Sequence, residues 1–106
     1  MSESSRVVDV TGELDLSTIA HWEAEVEQAA ERASTIVLDL TGLAFIDSAG
    51  VHSLFRMLAA LDRRAKRLVV VAPPDGAVRR LLDVLNLTAL ADVYDSRAEA
   101  LRVAHG

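Results

Sequence analysis

Short apolar runs rich in branched residues alternate along this chain with longer stretches whose apolar residues recur every three or four positions. That alternation constrains the fold more than any other feature. The runs are Val7-Val8-Asp9-Val10, Thr35-Ile36-Val37-Leu38-Asp39-Leu40 and Leu68-Val69-Val70-Val71-Ala72. Each is too short for a helix and reads as a strand, the last two as buried strands. Between them, Ile19, Trp22, Val26, Ala29, Ala30 and Ala33 share one face of a helix from about Thr18 to Ala33. Val51, Leu54, Phe55, Leu58, Leu61 and Ala65 line up in the same way on a second helix, and Val78, Leu81, Leu82 and Leu85 on a short third. A brief strand follows at residues 92–95, and Ser96-Arg97-Ala98-Glu99 is a capping box opening a last helix. The alternation predicts an α/β domain: a small, largely parallel or mixed sheet of about four strands, with about four helices.

Local signals punctuate these elements. Asp15 or Ser17 can cap the first helix, Asp75 the third, and Asn86 suits a left-handed stop after it. Pro73-Pro74 ends a strand. Arg63, Arg64, Lys66 and Arg67 gather where the second helix should finish, favoured by the negative end of its dipole. Residues 1–5 read as a disordered N-terminus and residues 6–106 as one domain.

Composition narrows the function. A chain of 106 residues has room for one domain, burying roughly two-thirds of its unfolded surface. There is no cysteine, which removes thiol catalysis, thiolate metal sites and redox switching. With 16 acidic against 11 basic residues the net charge is -5, which disfavours nucleic acid and anionic membrane surfaces as partners. No apolar run approaches the roughly 20 residues of a membrane span. The opening residues are polar and unlike a signal peptide, so the expected compartment is the cytoplasm.

In parallel α/β sheets, function gathers where strand ends lead into helix N-termini. Two such junctions are polar here: Gly12-Glu13-Leu14-Asp15 and Asp47-Ser48-Ala49-Gly50. If their strands are neighbours, both open on one edge. Ser48 stands out, at or next to the N-cap of the strongest amphipathic helix. Its plainest role is the cap itself, worth about 1 kcal/mol. Alternatively Asp47 is the cap, which leaves the Ser48 hydroxyl free. Gly50 permits close backbone approach. A nucleophilic role for Ser48 with His52 as base lacks the first glycine of G-x-S-x-G and an evident residue to orient the imidazole. No phosphate-binding G-x-x-x-x-G-K-[ST], no H-x-x-x-H and no EF-hand pattern occurs. The one lysine, Lys66, sits at the wrong end of its strand for a phosphoaspartate receiver. No cofactor, metal ion or catalytic residue is expected.

The segments Gly12-Glu13-Leu14-Asp15, Ile36-Val37-Leu38-Asp39-Leu40, Phe45-Ile46-Asp47-Ser48-Ala49-Gly50-Val51, Leu68-Val69-Val70-Val71, Leu81-Leu82-Asp83-Val84-Leu85-Asn86-Leu87 and Tyr94-Asp95-Ser96 resemble a STAS domain. More narrowly they resemble the bacterial anti-sigma-factor antagonists, across about residues 6–104. The resemblance implies a partner-switching module rather than an enzyme. Unphosphorylated, it would bind an anti-sigma factor and release the sigma factor. The anti-sigma factor, a serine kinase with a histidine-kinase-like ATPase fold, would phosphorylate Ser48, and a phosphatase would reverse this. The matched motif assigns Ser48 as phosphoacceptor and Asp15, Leu16, Ser17, Asp47, Ala49, Gly50 and Val51 as the partner-binding rim. Ala49 stands where the family often has serine, which leaves Ser48 the only hydroxyl of the turn. Family members usually carry a strand before the one matched by Val7–Val10. Its absence or shortening here would leave a sheet edge open to pairing, consistent with a monomer or weak homodimer. The alternative within the family is an accessory subunit, lipid-transport or stressosome-like, that binds its partner without phosphorylation.

Overall fold

A computed structural model describes residues 3–105. Its elements run β1 (Glu3–Asp9), β2 (Gly12–Leu14), α1 (Ile19–Arg32), β3 (Ala33–Asp39), β4 (Leu43–Ile46), α2 (Ser48–Arg63), β5 (Arg67–Val71), α3 (Ala77–Val84), a 3-10 turn (Leu87–Ala89), β6 (Asp92–Tyr94) and α4 (Arg97–His105). Four strands form a sheet in the order β1-β3-β5-β6, every adjacent pair parallel. Successive side chains of a strand point to opposite faces. Ile36, Leu38, Leu68 and Val70 therefore join Trp22, Val26, Leu54, Leu61 and Leu82 in the main core, beneath α1, α2 and α3. Val37, Val69 and Val71 meet Ala100 of α4 on the other side. Burial on both faces is why β3 and β5 read as almost unbroken apolar runs.

The expected four-stranded sheet and four helices are present. β2 and β4 add a separate parallel two-stranded ladder, with Gly12 opposite Leu43 and, after a register shift between Gly12 and Glu13, Glu13 opposite Phe45 and Leu14 opposite Ile46. Sequence pattern misses this ladder because its strands have three and four residues, too few to establish a period. Its entry also depends on Gly12, held at φ 76°, a conformation that glycine adopts freely. At the N-terminus β1 starts earlier than expected. Glu3 and Ser5 pair with Ala33 and Thr35, so strand reaches into the segment read as disordered, while residues 1 and 2 lie outside the described residues. β1 is an edge strand, and among the described residues it pairs with β3 alone.

Several ends differ in detail from expectation. Ala33 belongs to β3 rather than to α1, because the chain turns straight from helix into extended backbone there. Asp75 does not cap α3: the N-cap is Gly76, whose amide closes a turn on the Pro73 carbonyl. Asn86 does adopt the left-handed conformation, at φ 62°. The Ser96 hydroxyl accepts from the Glu99 amide at 3.3 Å, while the Glu99 carboxylate reaches the Asp95 amide rather than that of Ser96.

One ion-pair cluster ties α4 to the sheet. Arg97 donates to Asp39 at 2.8 Å and also pairs with Asp9, joining the carboxyl ends of β3 and β1. Asp39 is buried, which by itself would raise its pKa. Hydrogen bonds from Thr41 and Arg97 outweigh that and hold the carboxyl below its usual value. Its ionised form therefore adds stability above the unfolded pKa. That contribution disappears as pH falls through the lower folded value.

α2 stops at Arg63 rather than running on to Ala65, which lies beyond the helix at φ 58°, with the Lys66 amide donating back to the Leu61 carbonyl at 2.8 Å. This is a left-handed helix stop built on alanine, where glycine would avoid the Cβ penalty. Ala65→Gly should therefore raise the free energy of unfolding by about 0.5–1 kcal/mol, read from urea denaturation.

Candidate functional site

The β2–β4 ladder brings the two polar junctions side by side. Leu14 lies opposite Ile46, so residues 15–17 and 47–49 leave the same end of adjacent strands. The junctions are also joined directly, because the Asp47 amide donates to the Leu14 carbonyl at 3.2 Å.

At the second junction Asp47 is the N-cap of α2. Its backbone is extended, its carboxylate accepts the Gly50 amide at 2.9 Å, and its carbonyl accepts the Val51 amide at 2.9 Å. Ser48 is thus the first helical residue, exposed and relieved of the capping role. Gly50, which the motif match placed in the partner-binding rim, is buried. A Cβ built on it would lie 2.4 Å from the Leu14 carbonyl oxygen and 2.9 Å from Ile46. Its bare Cα lets the start of α2 seat against β2 and β4, which positions Ser48 from below.

The first junction is a compact turn. The Ser17 hydroxyl and amide donate to the Asp15 carboxylate at 2.7 and 2.9 Å, and these bonds hold its carboxyl below the usual value. Asp15 therefore organises its own loop rather than capping through its side chain, and Thr18 is the N-cap of α1. The Thr18 hydroxyl donates to the Glu13 carbonyl at 2.9 Å and accepts the Asp15 amide at 3.0 Å, clasping the turn. Leu16, at the tip, is 76% exposed.

The helices behind the two junctions are locked together. Trp22 Nε1 donates to the fully buried Ser53 hydroxyl at 3.0 Å, Ser53 donates to Glu23, and Arg56 pairs with the same carboxylate. This relay, buried at Trp22 and Ser53 and reaching solvent at Arg56, fixes α1 against α2 just beneath the site.

Beside Ser48 runs an open groove of about 400 Å³, lined by Ile46, Asp47, Ser48, Val51, His52, Leu81 and Leu85. Its walls are mainly apolar. Val84 is 81% exposed at the end of α3, and Phe45 of β4 is 51% exposed. Of the expected rim, Val51 lines this groove together with Asp47 and Ser48. Ala49 is half-buried at the helix start, and Leu16 and Ser17 stand on the neighbouring loop. Sequence reasoning misses the α3 wall. Leu81 and Leu85 share an apolar face with Leu82, but Leu82 is fully buried while Leu85 turns outward. Val84, apolar but off the stripe that carries Leu81, Leu82 and Leu85, is the signal for it.

A larger cleft, about 480 Å³, opens at the opposite ends of the strands, around Lys66, Arg67 and Asp92. Its cations are already engaged: Lys66 donates to the Ala33 carbonyl and Arg67 pairs with Asp92. Among the described residues no hydrogen bond joins Ser48 to His52 and none orients the imidazole as a base. No cluster of three metal-ligating side chains occurs among them either, and no helix is long and apolar enough to cross a membrane.

Gly50→Ala should destabilise the domain by about 1–3 kcal/mol, since the new methyl meets backbone rather than a yielding side chain. Urea unfolding followed at Trp22 checks this.

The family model described as "Mlab, STAS domain" matches residues 1–93. No curated protein matches the chain. Among solved structures, an anti-sigma factor antagonist from Mycobacterium paratuberculosis is 26% identical, with a TM-score of 0.80 over 100% of this chain and 90% of that one. The anti-sigma factor antagonist SpoIIAA in its unphosphorylated form is 22% identical, with a TM-score of 0.74 over 100% of this chain and 94% of that one. The Bacillus cell fate determinant SpoIIAA in its phosphorylated form is 22% identical, with a TM-score of 0.70 over 95% and 91%. The SpoIIAA likenesses speak for the fold. The family match spans most of the chain and includes both junctions, and on it the protein belongs to the STAS-domain family.

Proposed function

We propose that this protein is an anti-sigma-factor antagonist, a regulatory binding module controlled by phosphorylation of Ser48. The observation that carries the reading is an exposed, uncommitted serine hydroxyl on the rim of an apolar groove, freed because Asp47 caps the helix. The solved antagonists of similar fold support the partner class. In its unmodified form the domain would seat the groove wall and the loop tip at Leu16 against an anti-sigma factor. The same partner, acting as a serine kinase, would supply ATP, magnesium and the general base. Ser48 Oγ would attack the γ-phosphorus, forming the Oγ–P bond. The bond from that phosphorus to the ADP oxygen would break, and the hydroxyl proton would pass to the kinase's base. A phosphatase would restore the hydroxyl by hydrolysis.

The switch needs little change in the domain itself. Phosphate adds about −1.5 to −2 charges at neutral pH, and the start of a helix tolerates negative charge. The cost falls on the complex, where a surface shaped around a neutral hydroxyl would have to desolvate a phosphate beside Asp47. A difference of about 3 kcal/mol is over a hundredfold in affinity.

Intact mass and peptide mapping of the protein from its host should show a species heavier by one phosphoryl group, localised to Ser48. Ser48→Ala should stay folded, bind the anti-sigma partner and escape inhibition by kinase and ATP. One unmodified species under every growth condition, with a complex indifferent to ATP, would overturn the switch. That result would favour a second reading, the constitutive accessory subunit. Both readings use the groove. Leu85→Asp should therefore lower partner affinity at least about tenfold, by calorimetry, with unfolding unchanged within about 0.5 kcal/mol.

A further inference from the structure

We propose that His52 is the counter-ion of the phosphate on Ser48, making the modified state sensitive to pH; this rests on the phosphorylation reading above. Ser48 is the first residue of α2 and His52 lies one turn further on, both exposed and both lining the same groove. Residues four apart on a helix have Cβ atoms about 5–6 Å apart. Helical side chains lean toward the N-terminus, so an imidazole at position 52 covers the turn that carries position 48. The rest of the groove wall, Ile46, Val51, Leu81 and Leu85, offers the phosphate no polar partner.

The charges on the surrounding elements are largely engaged elsewhere. On α2, the Asp47 carboxylate holds the Gly50 amide, and Arg56 is paired with Glu23 of α1, which also accepts from Ser53. On α3, Arg79 holds Asp83 and Asp95. Arg80 is the remaining exposed cation of α3 and the competing candidate. Among the described residues no side chain hydrogen-bonds His52, and no acceptor takes the amides of Ser48 or Ala49. A phosphate on Ser48 can thus accept from those two amides and from the imidazole. Histidine is the side chain that changes charge in the physiological range. An imidazolium beside the phosphate offsets part of its charge, so the modified surface is less negative with a protonated than with a neutral side chain at position 52.

The test installs phosphoserine at position 48 by genetic encoding, so it needs no kinase. Phosphorus NMR then titrates the phosphate in the native sequence, in His52→Gln and in Arg80→Gln, each checked for folding by Trp22 fluorescence. A nearby imidazolium favours the dianion, so His52→Gln should raise the second phosphate pKa by about half a unit while Arg80→Gln leaves it in place. Superimposed curves for the native sequence and His52→Gln, or a rise in Arg80→Gln alone, overturn the pair. Neither outcome touches the phosphorylation reading, which is decided by the mass of the protein from its host.

Discussion

Ile36, Leu38, Leu68 and Val70 face one way from the central sheet, Val37, Val69 and Val71 the other, and all are buried. A parallel sheet buried on both faces needs cover on both, and each parallel crossover supplies a helix for it. α1, α2 and α3 cover one side and α4 the other. With the layers in place, the strand ends are the positions where polar loops meet solvent and helix N-termini together. The position of Ser48 follows from this: it opens the helix that connects the β4 end of the ladder back to β5.

Seating that helix is a matter of backbone rather than side-chain chemistry. The Leu14 carbonyl accepts the Asp47 amide, and Gly50 passes beneath the same oxygen without a side chain. Asp47 then closes the helix start on its own carboxylate. These contacts give Ser48 a fixed address without consuming its hydroxyl. Behind them, the Trp22–Ser53–Glu23–Arg56 relay keeps α1 and α2 from sliding, so the two loops keep their spacing. A recognition surface needs this combination of rigid support and exposed, uncommitted groups.

What is legible in the residues is what repeats locally. The faces of α1 and α2, the runs of β3 and β5 and the left-handed stop at Asn86 all follow from spacings within one element. The Asp47-or-Ser48 ambiguity at the helix start is also visible in sequence, because both residue types cap. It is resolved by the Gly50 amide, which takes the Asp47 carboxylate. The β2–β4 ladder is not legible, since its strands are shorter than any period and its partners lie about thirty positions apart. Asp39 shows the same limit: it reads as part of a strand, yet its partner Arg97 is 58 positions away.

The sequence by itself determined the types of the longer elements, the α/β class and the small set of residues on which function could rest. Those properties depend on hydrophobic period and on capping chemistry, which are local. Tertiary structure alone decided that Gly50 is buried against Leu14 and Ile46, and that Leu81 and Leu85 wall a groove beside Ser48. It also decided that His52 and Ser48 line that groove with no hydrogen bond between them. A contact between distant segments depends on how layers pack and which backbone approaches which, and no periodicity within a single element records that.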